Sequence, residues 1–231
     1  MVLGYRKERK LNIKMCLFKS CTLSIMMLSI LLGLTQCGKK SQESTSAVKK
    51  DTNVQSEKTE FSAEVKQILD KKKEVIENLA KDPPIIKAVK ESNERNHNIT
   101  LPEILRLDGK WQKTEGLDEF IKSFIINECG QYLVEFQEAN EVFSEIFITD
   151  EKGLIVGETN KTSDYLQADE DWWIKAYNKG NGMSYYGVLE YDNSSRTEAI
   201  PLYVPVRDIE TKKAIGIIKA VCDITAIKME L

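Results

Sequence analysis

The segment from Ile148 to Asp223 decides the fold. It begins ITDEKGLIVGETNKTSDYLQADEDWWIKA, at Ile148, and ends PLYVPVRDIETKKAIGIIKAVCD, at Asp223. Ser144–Thr149 alternates between polar and apolar residues, and Leu154–Glu158 follows the turn Asp150–Gly153, which together predict a β-hairpin. Three more stretches, separated by turn residues, predict three further strands. The five predicted strands cover 144–149, 154–158, 184–191, 198–206 and 214–222.

A polar loop and one helix separate the hairpin from the later strands. The loop covers 159–168, and the helix carries the adjacent tryptophans Trp172 and Trp173. Either Asp169 or Asp171 is expected to cap the start of this helix, and Lys179-Gly180 to end it after Asn178.

The residues before the sheet predict helices. Apolar residues recur at helical spacing over 61–80, and Asp82-Pro83-Pro84 predicts the cap and first turn of a second helix. Thr100 and Glu103 have the spacing of a capping box, which predicts a short helix from 101. A loop containing Gly109 and Trp111 should follow it. Apolar residues then predict one more helix, from Leu117 through Leu133 and Phe136.

Strands that follow a run of helices and are joined by tight turns define an α+β fold with an antiparallel sheet. The order of elements over 144–223 resembles the extracytoplasmic sensor domains of the Cache (PAS-like, PDC) family. The resemblance implies a PAS-like five-stranded antiparallel sheet, a long N-terminal helix along it, and further helices packed on it. The length of 61–231 fits the single-Cache form.

In this family the ligand lies between the sheet and the loop and helix that follow the second strand. The resemblance therefore implies a small-molecule site built from that segment and the late strands. The positions it assigns to ligand binding are Tyr165, Glu170, Trp172, Trp173, Tyr203 and Asp223.

A subset of the related double-Cache domains binds amino acids with an arginine five residues after the first tyrosine. Glu170 stands at that position here. Because a carboxylate repels the ligand carboxylate that an arginine would pair, Glu170 and Asp223 favour a cation, such as an amine, held against tryptophan and tyrosine faces.

Each of these residues also has a structural interpretation. Trp172 and Trp173 lie about 100° apart around a helix, so one of them is expected in the core. Tyr165 could pack the loop, Asp223 could cap the last strand, and Asp169 to Asp171 could be a solvated helix start.

Composition and charge exclude several classes of function. Residues 1–36 contain six of the 33 basic residues and one of the 36 acidic residues, so the remainder has 27 basic and 35 acidic residues. This acidic balance argues against nucleic acid as a partner. His97 is the only histidine and lies in a polar stretch, and phosphate and dinucleotide motifs are lacking. We expect no enzyme activity, no cofactor and no metal.

The N-terminus has the pattern of an export signal. A basic stretch precedes the apolar core Thr22–Leu34, and Leu34-Thr35-Gln36-Cys37 resembles a bacterial lipobox, with Gln36 as a departure. We therefore predict a lipoprotein signal over 1–36, cleaved before a lipid-modified Cys37. The alternative is an uncleaved anchor over Ser20–Gly38, and translation could start at Met1 or Met15. The lipoprotein signal and the uncleaved anchor would both place the domain outside the cytoplasm, anchored in the cell envelope.

The polar residues 37–60 predict a disordered tether, and 61–231 the sensor domain. Cys129 and Cys222 lie among apolar residues, which favours buried free thiols over a disulfide bridge. Because no output module follows Asp223 before Leu231, we expect the domain to bind a ligand or to assist a membrane receptor. The alternative is an accessory or structural envelope lipoprotein, docked on a receptor or transporter, that binds no ligand.

Overall fold

A computed structural model describes residues 60–192 and 196–231. The predicted signal, the predicted lipidation site Cys37 and the predicted tether up to residue 59 lie outside these residues. The described part contains five helices before the sheet, one helix within the sheet segment and one after it. They are α1 (Ala63–Leu79), α2 (Pro83–Asn96), α3 (Leu101–Lys113), α4 (Glu119–Ile126), α5 (Glu128–Ala139), α6 (Asp171–Tyr177) and α7 (Ile224–Met229).

The sheet is antiparallel, which confirms the predicted α+β class and PAS-like layout. Its strands are β1 (Phe143–Asp150), β2 (Ile155–Glu158), β3 (Tyr185–Tyr186), β4 (Glu190–Asp192), β5 (Thr197–Arg207) and β6 (Ala214–Asp223). They are arranged in the order β2-β1-β6-β5-β3, and β4 also pairs with β5.

The predicted third strand is two strands, so the count of five was wrong by one. Tyr186 pairs with Leu202, but Glu190 pairs with Ala199, so the register shifts by one residue between them. Pro201 lies at this break and has no N–H to donate to a neighbouring strand. The Pro201 carbonyl accepts a hydrogen bond from the Gly187 N–H at this break.

Two predicted helix boundaries were also wrong. Gly109 and Trp111 lie inside α3 rather than in a loop, because α3 continues to Lys113. The single helix expected from Leu117 is broken at Asn127, whose extended backbone ends α4. The Asn127 side chain then accepts the Gly130 N–H at 2.7 Å, so this residue caps α5.

The main core lies between the sheet and helices α1, α2, α5 and α7. It contains the side chains from one face of the sheet, among them Ile146, Ile148, Leu202, Val204 and Ile218. Leu69, Ile76, Ile85 and Val89 cover them from α1 and α2, and all four are fully buried or nearly so. Cys129 and Cys222 are buried free thiols, as predicted. This packing leaves the other face of the sheet to α6 and the 159–170 loop.

Candidate functional site

A row of five side chains crosses the sheet on the face opposite the main core. The strand register pairs Glu158 with Phe147, Phe147 with Lys219, Lys219 with Tyr203, and Tyr203 with Tyr185. Because directly paired residues of antiparallel strands project to the same face, these five side chains lie side by side. We call them the cross-strand row.

A cleft of about 260 Å³ lies over the middle of this row. The sheet forms its floor and the 159–170 loop forms one wall. It is lined by Glu145, Phe147, Thr162, Ser163, Gln167, Glu190, Tyr191, Asp192 and Lys219. Three of these side chains are carboxylates and one is an ammonium, so the cleft attracts positive charge.

Lys219 lies at the centre of the cross-strand row. Its Nζ is 5.4 Å from the ring centroid of Trp172 and 5.7 Å from that of Phe147, within the range of cation–π contact. The charges of Glu170 and Glu190 are close enough to interact with this ammonium. The protein therefore places its own cation against the aromatic wall.

Three aromatic rings lie in a row beside Lys219. The ring centroids of Trp172 and Tyr203 are 4.9 Å apart and those of Tyr203 and Tyr185 are 4.7 Å apart. The Tyr185 hydroxyl donates to the Trp172 carbonyl at 2.9 Å. Burial raises the pKa of Tyr185 to about 12 and raises that of Tyr203 further, so both phenols stay neutral.

The two tryptophans face different surroundings, as their helical spacing predicts. Trp173 is buried, its ring stacks on Tyr177, and its Nε1 donates to Thr149 Oγ1 at 2.8 Å. Trp172 instead contacts Tyr203 and Phe147 of the cross-strand row. The structure therefore brings Trp172 and Tyr203 together, whereas Trp173 packs between α6 and β1.

Tyr165 lies away from this group, in a second aromatic cluster. Its ring packs against Trp111, Phe120 and Phe124, with centroid distances of 5.4 to 5.6 Å to Phe120, Trp111 and Phe124. Tyr165 is buried, and this burial raises its pKa to about 12. The side chain fixes the loop to α3 and α4.

Helix α3 holds the loop by hydrogen bonds that the sequence did not reveal. Asp108 Oδ1 accepts the backbone N–H groups of Tyr165 and Leu166 at 2.9 and 3.0 Å. Trp111 is fully buried, and its Nε1 donates to the Thr162 carbonyl at 2.9 Å. The wall of the cleft is therefore positioned by a helix some fifty residues earlier in the chain.

Glu170 occupies the N-cap position of α6, between the two aspartates expected there, and its side chain makes no capping bond. Partial burial first, and then the neighbouring carboxylates Asp169 and Asp164, raise its pKa. Asp223 caps α7, which the sequence did not predict, and accepts the N–H groups of Thr225 and Ala226. The Thr197 hydroxyl also donates to Asp223, at 3.0 Å.

The cleft residues that sequence reasoning missed come from strand ends and from a lysine inside an apolar strand. Glu145 is a buried carboxylate in a strand whose other residues are mostly apolar, and Lys219 interrupts GIIKAVC. A charged residue on a buried strand was the available signal. The pairing that joins Lys219 to Phe147 and Tyr203 could not be read from one strand alone.

Two larger cavities lie elsewhere on the described part of the chain. One of about 720 Å³ lies between α2 and the start of α5, and one of about 410 Å³ lies near the β5–β6 turn. The first is lined by Lys87, Glu91 and Glu128, which are exposed and pair with each other. We favour the smaller cleft as the site because the buried carboxylates Glu145 and Asp192 and the Lys219 ammonium line it together on one face of the sheet, and clustered buried charges are typical of binding sites.

No family model matches the chain, and no curated protein matches it by sequence. Solved structures do match. The sensor domain of the histidine kinase DctB from V. cholerae is 16% identical, with 73% of this chain and 54% of that chain covered and a TM-score of 0.43. The ligand-binding domain of the chemoreceptor Tlp3 from Campylobacter jejuni, in complex with 4-methylisoleucine, is 15% identical, with 73% and 63% covered and a TM-score of 0.36.

The ligand-binding domain of the amino acid chemoreceptor PctB from Pseudomonas aeruginosa, in complex with L-arginine, is 12% identical, with 71% of this chain and 53% of that chain covered and a TM-score of 0.37. This chain thus spans between half and two thirds of the length of these sensor domains. Within residues 60–192 and 196–231, no helix has the length and apolar character needed to cross a membrane.

Proposed function

We propose that this chain is a sensor-type, small-molecule-binding domain that is tethered outside the cytoplasm, and that its ligand is an amine or another small organic cation. The single observation that supports the ligand class is the charge of the cleft. Three carboxylates, Glu145, Glu190 and Asp192, line it together with one ammonium, Lys219.

The volume of the cleft fits a small ligand. About 260 Å³ is near the lower limit for small-molecule sites, which favours a compact amine over a peptide or a nucleotide. Thr162, Ser163 and Gln167 on the loop wall add hydroxyl and amide groups that can orient such a ligand.

The aromatic rings beside Lys219 do not form the simple cage that was expected from the sequence. Trp172 and Tyr203 stack on each other, and the Lys219 ammonium already lies near the face of Trp172. An amine would therefore enter on the carboxylate side of Lys219, beside Glu145 and Asp192. Glu170 lies close enough to Lys219 for its negative charge to partly balance the charge of the ammonium.

The location outside the cytoplasm is supported by the basic and apolar residues before Cys37, which have the pattern of a lipoprotein signal. Replacing Cys37 with serine tests it: we expect the wild-type chain in the membrane fraction with a lipid label, and the variant without that label. Equal labelling of the two would contradict the anchor.

A thermal-shift screen tests the ligand class. The described domain should melt at a higher temperature with small amines than with amides or carboxylates of equal size, because a ligand of the folded state stabilises it by mass action. If carboxylates raise the melting temperature and amines do not, the proposed ligand class is wrong. If no compound class does so, the domain is better explained as a structural or accessory envelope protein.

A further inference from the structure

The rings of Trp172, Tyr203 and Tyr185, which we call the three-ring group, have a lysine ammonium at each end. Tyr203 contacts both of the other rings, with centroid distances of 4.9 and 4.7 Å. The Lys175 ammonium lies over Tyr185, 3.8 Å from the ring centroid. The Lys219 ammonium lies over Trp172, at 5.4 Å. Each ring therefore already has aromatic or cationic partners from the chain itself.

The described residues that line the cleft offer no open aromatic face to a ligand. The three-ring group is not among them. Phe147 lines the cleft but is only 2% exposed, and the Lys219 ammonium lies 5.7 Å from its ring centroid. Tyr191 follows Glu190 and precedes Asp192 on β4. Because successive strand residues project to opposite faces, the Tyr191 ring projects away from the face that carries those two carboxylates.

The sheet fixes the position of Lys219. Strand β6 lies between β1 and β5, and Lys219 is paired with Phe147 on one side and with Tyr203 on the other. The side chain is half-buried and lines the cleft beside the rings. Its ammonium therefore occupies the place from which a ligand cation in the cleft would contact Trp172 or Phe147.

The cleft instead offers a ligand cation hydrogen-bond acceptors. Glu145, Glu190 and Asp192 line it, and the two oxygens of a carboxylate have about four lone-pair sites. A primary ammonium has three N–H donors, and its hydrogen bonds to carboxylates are roughly twice as strong as neutral ones. A quaternary ammonium has no N–H donor, and proteins recognise it with open aromatic faces.

We propose that the cleft binds primary ammonium ions and rejects quaternary ones, and that Lys219 sets this specificity by occupying the aromatic faces. This inference rests on the proposed function, because it narrows the ligand class of the same cleft to cations with N–H donors. A cation without them is attracted by the carboxylates but makes none of their hydrogen bonds. Sites built on hydrogen bonds discriminate strongly against such analogues.

Ethanolamine and choline are the probes, because they share a hydroxyethyl chain and differ in whether the nitrogen carries hydrogens or methyl groups. Titration calorimetry at pH 7 with the full chain, purified in detergent, measures both affinities. We expect ethanolamine to bind at least about tenfold more tightly than choline. Equal affinity, or tighter binding of choline, would overturn the inference and leave the proposed function standing. A cleft that binds neither cation would overturn both.

Lys219→Ala tests the role of the lysine, because it removes the ammonium from the rings. Both probes carry one positive charge, so the loss of repulsion raises the two affinities alike. Only the ratio of choline affinity to ethanolamine affinity reports the uncovered rings, and we expect it to rise about tenfold. Lys175→Ala is the matched control, since Lys175 contacts the three-ring group without lining the cleft, and it should leave the ratio unchanged.

A neutral analogue separates the attraction of the rings from the extra room. 3,3-Dimethylbutan-1-ol has the shape of choline without its charge, and it should gain much less affinity in Lys219→Ala than choline does. An unchanged ratio in Lys219→Ala, or an equal gain for the neutral analogue, would overturn the role of Lys219. The wild-type comparison of ethanolamine with choline tests the specificity even if Lys219→Ala does not fold.

Discussion

The indole ring of Trp172 stacks on the phenol ring of Tyr203, with centroids 4.9 Å apart and an angle of 13° between the ring planes. This contact joins α6 to β5, two elements about thirty residues apart in the chain. It also forms the wall against which Lys219 lies. The position of α6 beside Lys219, which lines the cleft, depends on this pair.

Replacing Trp172 with alanine should lower the free energy of unfolding by about 2 kcal/mol, because a half-buried aromatic ring and its stacking contact are lost. Tyr203→Phe is the matched control, since it keeps the ring and should change stability by much less. Urea denaturation measures both. Equal losses in the two variants would mean that the stacked rings do not hold α6 in place.

Asp108 should control the order of the cleft loop. Asp108→Ala removes the acceptor for the Tyr165 and Leu166 N–H groups, and we expect a loss of about 1–3 kcal/mol in stability. Hydrogen exchange at those two amides should accelerate more than exchange in α1. Asp108→Asn keeps one acceptor oxygen and should show a smaller effect. Unchanged exchange in Asp108→Ala would contradict the anchoring role.

Glu158 should make the domain less stable as pH rises. Its pKa is raised to about 8 in the folded state, above the ordinary value of 4.5, so the folded state binds the proton more tightly than the unfolded chain does. The resulting stability is fully present below about pH 4.5 and is lost as pH rises through 8, at up to about 1.4 kcal/mol per pH unit.

Denaturation at pH 5, 7 and 9 measures this slope, which Glu158→Gln should flatten. Asp208 does not interfere, because its hydrogen bond to Lys90 lowers its pKa, so that it titrates below this window. A wild-type slope that survives in Glu158→Gln would assign the effect to other groups.

Asp223→Ala should separate a capping role from a ligand-binding one. Removing the cap of α7 should cost about 1 kcal/mol of stability. We expect amine affinity to stay the same, because Asp223 already accepts bonds from Thr225, Ala226 and Thr197. A loss of binding free energy larger than the loss of unfolding free energy would indicate that Asp223 contacts the ligand.

The fold was largely readable from the sequence because its signals are local. Alternation gave the β1–β2 hairpin, the Pro83-Pro84 pair gave the start of α2, and Thr100 gave the cap of α3. The break at Asn127 was not readable, because an asparagine among apolar residues can lie inside a helix as well as cap one. The split between β3 and β4 depends on Pro201, which lies on the partner strand.

The candidate site was only partly predictable, since its geometry comes from strand register. Trp172 and Tyr203, which the family resemblance assigned to the site, do meet, whereas Tyr165 and Asp223 lie in other contacts. That Lys219 and Glu158 lie on either side of Phe147 follows only from the pairing of β6 and β2 with β1. A sequence pattern shows which face a residue shares along one strand, but not which residue lies beside it on the next.

The most direct test of the central claim compares the affinity of propylamine and of butyrate, a carboxylate with the same propyl chain, by titration calorimetry at pH 7, in the wild type and in Lys219→Met. We predict that propylamine binds with one site per chain and that butyrate does not. Lys219→Met should bind the amine about tenfold more tightly, since it removes the like charge from the cleft, while Lys228→Met, at an exposed site on α7, should not. Tighter binding of butyrate than of propylamine, or weaker amine binding in Lys219→Met, would contradict the account.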